Sequence, residues 1–201
     1  MRKAIVHLKK SDPVMRAIIE RVGAYKIQHR EPSFETLVRS IVYQQLSGKV
    51  ASVILARLVA MLPEGKITPD AILKLRPVRM RKAGLSKQKI AYIRDLARKT
   101  NQGHVKFEML PDLPDHEVIE HLTQVKGIGV WTAHMFLIFA LRRPDVLATG
   151  DLGVRVAIRK AYALEELPAP KQVEELAAAW RPYASVAVWY LWRSLESTAR
   201  I

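Results

Sequence analysis

Two glycines flanking a single residue, and one aspartate downstream of them, are the residues whose types and spacing could do chemistry in this chain. Gly127 and Gly129 bracket Ile128 within the stretch from Leu122 to Ala133. They allow a sharp backbone turn and leave N–H groups unshielded by side chains. Those groups stand at the start of a helix spelled out by Trp131, Ala133, Phe136 and Leu137, and a helix start is a ready site for phosphate. Asp151 follows Gly150 and precedes Val154, Val156, Ala157 and Ile158, which places it at or near a helix N-cap. The macrodipole there favours negative charge, which suits a carboxylate that must face a developing positive centre. An ordinary cap is the plain alternative. The chemistry on offer is therefore grip on an anion plus one acid. His7, His29, His104, His116, His121 and His134 form no metal-ligand or triad pattern.

The elements that must position these residues are helices. Apolar residues recur at helical spacing along most of the chain, and no run of period-two alternation stands out, so the fold class is all-α. Ser11-Asp12-Pro13 signals a helix start that Gly23 closes, and Ser33 opens the next helix. Ser47-Gly48 marks a bend or cap between two helices. Short helices are expected at 70–75 and 77–83, followed by a longer one capped by Ser86. Its inward stripe is Ile90, Ile93, Leu96 and Ala97, with Lys87, Lys89, Arg94 and Arg98 on the more exposed faces. A helix from 114 or 115 delivers the chain to the Lys126 to Gly129 turn, and the helix leaving the turn ends at Arg142-Arg143-Pro144. Two further helices are expected at 170–180 and 182–197. The unit around the glycines reads as helix, tight hairpin, helix.

Composition narrows the partners. The chain of 201 residues carries 33 Lys and Arg against 19 Asp and Glu, a formal charge of +14, which favours a polyanion such as nucleic acid. It contains no cysteine, so disulfides, thiolate zinc sites and Cys-ligated iron–sulfur clusters are excluded. The N-terminal apolar run is too short for a signal peptide, and no segment approaches the ~20 apolar residues of a membrane span. The expectation is a soluble intracellular protein, in cytoplasm, nucleoid or nucleus, with no membrane partner.

The hairpin and the downstream acid resemble those of the helix–hairpin–helix DNA glycosylase superfamily, in its 3-methyladenine (alkylation-repair) branch. Besides Lys126 to Ala133 and Gly150-Asp151, the pieces that carry the resemblance are Ile41 to Ser47, Gly84 to Ile90, and Trp180 to Ala184 leading to Trp189. It spans most of the chain from about Ser33. The resemblance implies a two-lobed helical protein without the N-terminal β domain that some relatives carry. One lobe spans about 33–150, with the hairpin at 122–133; the other combines the N-terminal segment with about 151–201. The hairpin and Asp151 are expected to belong to the central lobe.

The resemblance also implies roles. Asp151 would be the catalytic carboxylate, stabilising positive charge on the sugar and positioning water. Trp131 stands where strand-cleaving relatives carry an attacking lysine, which implies a monofunctional enzyme. Trp189 is the first candidate for the wall of the base pocket, with Trp131, Tyr43, Tyr190 and Trp192 as companions; core packing is the alternative for each. Gln45 and Leu46 lie where relatives insert a side chain into the space left by a flipped nucleotide, the alternative being an interhelical packing corner. Backbone N–H groups of Gly127, Gly129 and Val130 would bind phosphate, with Lys126 adding charge. No cofactor is expected to be required, although carbonyls of Thr123, Val125 and Ile128 match those that hold a structural monovalent cation in relatives. The implied partner is damaged double-stranded DNA, bound by a monomer. The implied function is hydrolysis of the N-glycosidic bond of alkylated purines by base flipping, the first step of base excision repair. Two alternatives stand beside it: a non-catalytic helix–hairpin–helix DNA-binding module, and a glycosylase for oxidised or mismatched bases.

Overall fold

The computed structural model describes residues 1–197. Among the described residues, twelve α-helices run in chain order: α1 (Arg2–Ser11), α2 (Pro13–Val22), α3 (Phe34–Tyr43), α4 (Gly48–Val59), α5 (Pro69–Lys74), α6 (Pro77–Ala83), α7 (Lys87–Asn101), α8 (Asp115–Thr123), α9 (Val130–Phe139), α10 (Leu152–Ala161), α11 (Pro170–Ala177) and α12 (Ala184–Ser197). Single 3-10 turns occupy Pro63–Gly65, Leu110–Asp112 and Ala178–Trp180. No strand occurs among the described residues, so the all-α expectation holds. No helix among them is long and apolar enough to cross a membrane.

Local signals account for most helix starts. Asp12 caps α2, its carboxylate accepting from Val14 and Met15 N–H with Pro13 in the first turn. Ser33, Ser47, Thr68 and Ser86 cap α3, α4, α5 and α7 in the same way. Each satisfies an N–H that has no partner inside the helix.

The chain divides into two units, Arg30–Leu141 and the pair of end segments Met1–His29 with Arg142–Ile201. In the first, α7 packs on α3, α5 and α6 and buries Ile90, Ile93, Leu96 and Ala97, the stripe its periodicity predicts. Phe34, Phe107 and Phe136 meet edge to face in the same unit. In the second, α12 packs on α2 and α10. The Asp12 carboxylate there accepts from Trp180 Nε1 at 2.8 Å and from the Tyr162 hydroxyl.

Three placements differ from the sequence reading. Residues 142–150 and Asp151 group with the chain ends rather than with the hairpin: Ser185 Oγ accepts from Val146 N–H, and Ser185 N–H donates to Pro144 O, tying this segment to α12. Residues 2–11 form a helix that the sequence did not announce, because only Ala4 and Leu8 of α1 are buried and the apolar stripe is thin. Lys89 and Arg94 are turned inward rather than solvated. Lys89 Nζ donates to Val42 O and Gln44 O, and Arg94 Nη1 to Ile72, Leu73 and Leu75 O. Helix C-termini leave carbonyls unpaired and partially negative, so the two cations of α7 cap the ends of α3 and α5.

Candidate nucleic-acid interface and carboxylate site

The hairpin between α8 and α9 is built from a buried plug and an exposed backbone. Val125 and Ile128 are buried, Ile128 N–H donates to Val125 O, and Gly127 turns with φ 81°. A Cβ on Gly127 would lie 2.0–2.3 Å from the Tyr92 ring, so glycine is required by packing as well as by dihedral. Gly129 caps α9 without a side chain and keeps φ at −96°; a Cβ there would meet nothing within 4 Å. Among the described residues no hydrogen bond takes the N–H of Gly127, Gly129 or Val130. These are the three donors the sequence singled out, and Gly129 and Val130 are exposed.

A buried carboxylate braces the hairpin from behind. Asp95, 5% exposed on α7, accepts from Lys126 N–H at 2.9 Å and pairs with Arg98 at 3.1 Å, while Lys99 Nζ donates to Gln124 O. Burial pushes the Asp95 carboxyl up; the Lys126 N–H and Arg98 hydrogen bonds, with the charges of Lys99 and Arg98, outweigh it and hold the carboxyl below its ordinary value. Asp95 escaped the sequence reading because its partner lies 31 residues away.

In the same unit, a cavity of about 980 Å³ collects Tyr43, Gln45, Leu46, Gly127 and Trp131, five of the residues picked from sequence, with Gln44, Lys89 and Tyr92 among its other walls. Trp131 is 49% exposed and presents a ring, not an amine, to this space. Burial lowers the pKa of Lys89.

Asp151 belongs to the other unit, where it is the N-cap of α10 and 8% exposed. Its Oδ1 accepts from Val154 N–H at 2.7 Å and from Trp192 Nε1 at 2.9 Å. Gly153 packs beside this pair: a Cβ there would stand 3.1 Å from Asp151 Oδ1 and 3.2 Å from Trp192 Cδ1. A backbone donor and an indole donor thus meet on Oδ1.

That indole belongs to Trp192, which the sequence reading named only as a companion of Trp189. Trp189 is 6% exposed and packs against Tyr25 and Tyr190, with Arg193 over its ring. Tyr190 has no exposed surface and spends its hydroxyl on Gly23 O. Both are core residues of their unit, whereas half-buried Trp192, one helical turn from Trp189, meets the aspartate. Aromatic composition cannot tell two faces of one helix apart; the face that meets α10 does.

Comparison with known proteins gives the family. Residues 38–182 match the HhH-GPD superfamily of base excision DNA repair proteins, and the chain belongs to that family. It is 34% identical over 200 residues to DNA-3-methyladenine glycosylase 1 of Schizosaccharomyces pombe, covering 96% of this chain and 87% of the relative. A solved S. pombe 3-methyladenine DNA glycosylase in complex with abasic DNA superposes with a TM-score of 0.84 at 35% identity, covering 94% of this chain and 95% of that one. A DNA-3-methyladenine glycosidase from Bacillus halodurans gives 0.86 at 35% identity, covering 98% and 90%.

Proposed function

We propose that the chain is a monofunctional DNA glycosylase that hydrolyses the N-glycosidic bond of alkylated purines, of the 3-methyladenine type, in duplex DNA and so initiates base excision repair. The observation that carries the reading is Asp151, a mostly covered carboxylate fixed by α10 and Trp192, in a chain whose hairpin offers three backbone donors to phosphate. A phosphate clamp alone needs no such acid.

The steps follow from physical chemistry. Gly127, Gly129 and Val130 bind backbone phosphate through N–H groups, with Lys126 adding charge. Extruding the target nucleotide costs a few kcal/mol of stacking and pairing, least for a damaged base; Gln45 and Leu46 fill the space it leaves. An N3- or N7-alkylated purine is cationic and leaves with the bonding electron pair, while positive charge grows on the sugar. The Asp151 carboxylate stabilises that charge and positions a water, whose oxygen bonds to the anomeric carbon as its proton is lost. Free base and an abasic strand are the products. With Trp131 at the amine position, no Schiff base forms there.

The reading makes damaged duplex DNA the partner of a monomer acting inside the cell. It requires no cofactor. The carbonyls of Thr123, Val125 and Ile128 are hard oxygen donors suited to a monovalent cation. Val125 O already accepts from Ile128 N–H, while no backbone hydrogen bond is drawn to Thr123 O among the described residues; such an ion would brace the hairpin and take no part in the bond cleavage.

The test is a panel of duplexes carrying 3-methyladenine, 7-methylguanine, ethenoadenine, hypoxanthine or 8-oxoguanine, incubated with chelator and borohydride. Free methylated purine, an intact abasic strand and no trapped protein–DNA adduct are expected. DNA binding without release of any base would establish a binding module instead, release confined to 8-oxoguanine would favour the oxidised-base enzyme, and an efficient adduct would refute the role given to Trp131.

A further inference from the structure

The cavity wall contains one strained turn. Leu46 N–H donates to Tyr43 O at 3.3 Å, Gln44 has φ −51° and ψ 128°, and Gln45 has φ 55°. These are features of a type II turn, whose third residue is ordinarily glycine. An L side chain at left-handed φ carries a steric cost that glycine does not. Gln45 keeps that cost while exposed at the cavity, and strain of this kind gathers where a side chain is used.

Two side chains hold the turn. Lys89 Nζ donates to Val42 O and Gln44 O, each at 2.7 Å, so the end of α3 and the first corner of the turn are fixed to α7. Gln44 Nε2 donates to Gly127 O at 2.9 Å, tying the same corner to the hairpin across 83 residues of sequence. Gly127 is itself pressed against Tyr92, four residues from the Gln88 that donates to the Tyr92 hydroxyl. The turn and the phosphate-gripping backbone therefore form one braced piece within Arg30–Leu141.

We infer that Lys89 and Gln44 are positioning residues for insertion into DNA: they fix the Gln45–Leu46 tip relative to the hairpin, so that gripping phosphate and wedging the base stack occur as one event. The inference rests on the reading of Gln45 and Leu46 as the inserted side chains. Its physical basis is preorganisation. A loose tip would spend binding energy on its own ordering before any could be applied to unstacking bases. An ordinary C-cap role for Lys89 predicts only lost stability.

The experiment compares Lys89→Met, Lys89→Arg, Gln44→Leu, the tip variant Gln45→Ala/Leu46→Ala, and Lys89→Met in that tip background. Three readouts are taken: fluorescence of 2-aminopurine beside an abasic-site analogue in a duplex, single-turnover release of 3-methyladenine from methylated duplex, and affinity for undamaged duplex. Lys89→Met is expected to blunt the fluorescence rise and slow release about tenfold or more, with undamaged-duplex affinity unchanged. Lys89→Arg, which can still donate to two carbonyls, restores both signals. In the tip background Lys89→Met has no further effect. Gln44→Leu reproduces the pattern with Lys89 in place and carries the test if Lys89→Met does not fold. Equal slowing by Lys89→Met with and without the tip would overturn the inference, as would wild-type release by both Lys89→Met and Gln44→Leu. Wild-type release by the tip variant alone would instead remove the insertion reading on which the inference stands.

Discussion

Two helix N-termini in this chain answer the same physical problem in opposite ways. At the start of α9, Gly129 brings no side chain, and the N–H groups of Gly129 and Val130 meet no acceptor among the described residues. At the start of α10, Asp151 closes the end with its own carboxylate and draws Trp192 onto the same oxygen. The first N-terminus keeps its donors open, which the proposed function gives to phosphate; the second has its own anion in place. A glycine or an aspartate at the cap decides whether a helix start becomes a binding surface or a place to hold a charge for chemistry. On the proposed function, binding and bond cleavage fall to separate residues, which makes them separable by mutation.

The largest effect that would break this division at the open end is Gly127→Ala. The Cβ enters the Tyr92 ring at a positive-φ position, so a stability loss of about 3 kcal/mol or more and a collapse of duplex affinity are expected by denaturant titration and fluorescence anisotropy. Gly129→Ala, with open space around its Cβ, should leave stability nearly untouched. Equal losses in the two variants would remove packing as the reason for the first glycine.

Asp95→Asn sharpens the same end from behind. Weakening the buried acceptor of Lys126 N–H should cost about 1–3 kcal/mol. Because the folded-state pKa of Asp95 is lowered, the carboxylate's contribution is complete above the unfolded value and disappears as pH falls through the lowered one. Urea titrations from neutral to acidic pH should therefore show the wild type and Asp95→Asn converging only at acid pH; a constant gap would contradict the role of the charge.

At the closed end, Trp192→Phe keeps a ring and deletes the donor to Asp151. Base release should slow about tenfold, the size of one hydrogen bond to a charged group, while affinity for an abasic-site duplex holds. Parallel loss of affinity would mean that the indole serves the fold instead. The smallest effect is Gln45→Gly, which relieves the positive φ: stability should rise by up to about 1 kcal/mol as base release falls. Rising stability with full activity would mean that the side chain does nothing in DNA.

What the sequence disclosed and what it hid separate by range of interaction. Caps act within three residues, so Asp12, Ser33, Ser86 and Asp151 were legible, as was the α7 stripe through Ile90, Ile93 and Leu96. The hairpin glycines were legible because turn geometry restricts residue type. The rest depends on partners far along the chain: Gln44 on Gly127, Asp95 on Lys126, Trp192 on Asp151. Lys89 looked like one more solvated lysine because nothing local reveals that the carbonyls of α3 lie within its reach. Trp189 and Trp192 are equivalent as residue types and differ only in which face of α12 meets α10.

The division of labour between the two helix starts is tested most directly by one pair of titrations on wild type and Asp151→Asn. Each protein is measured for affinity to an abasic-site duplex and for release of 3-methyladenine from methylated duplex. The predicted result is unchanged affinity with release reduced by about a hundredfold or more. Full release by Asp151→Asn would contradict the account outright.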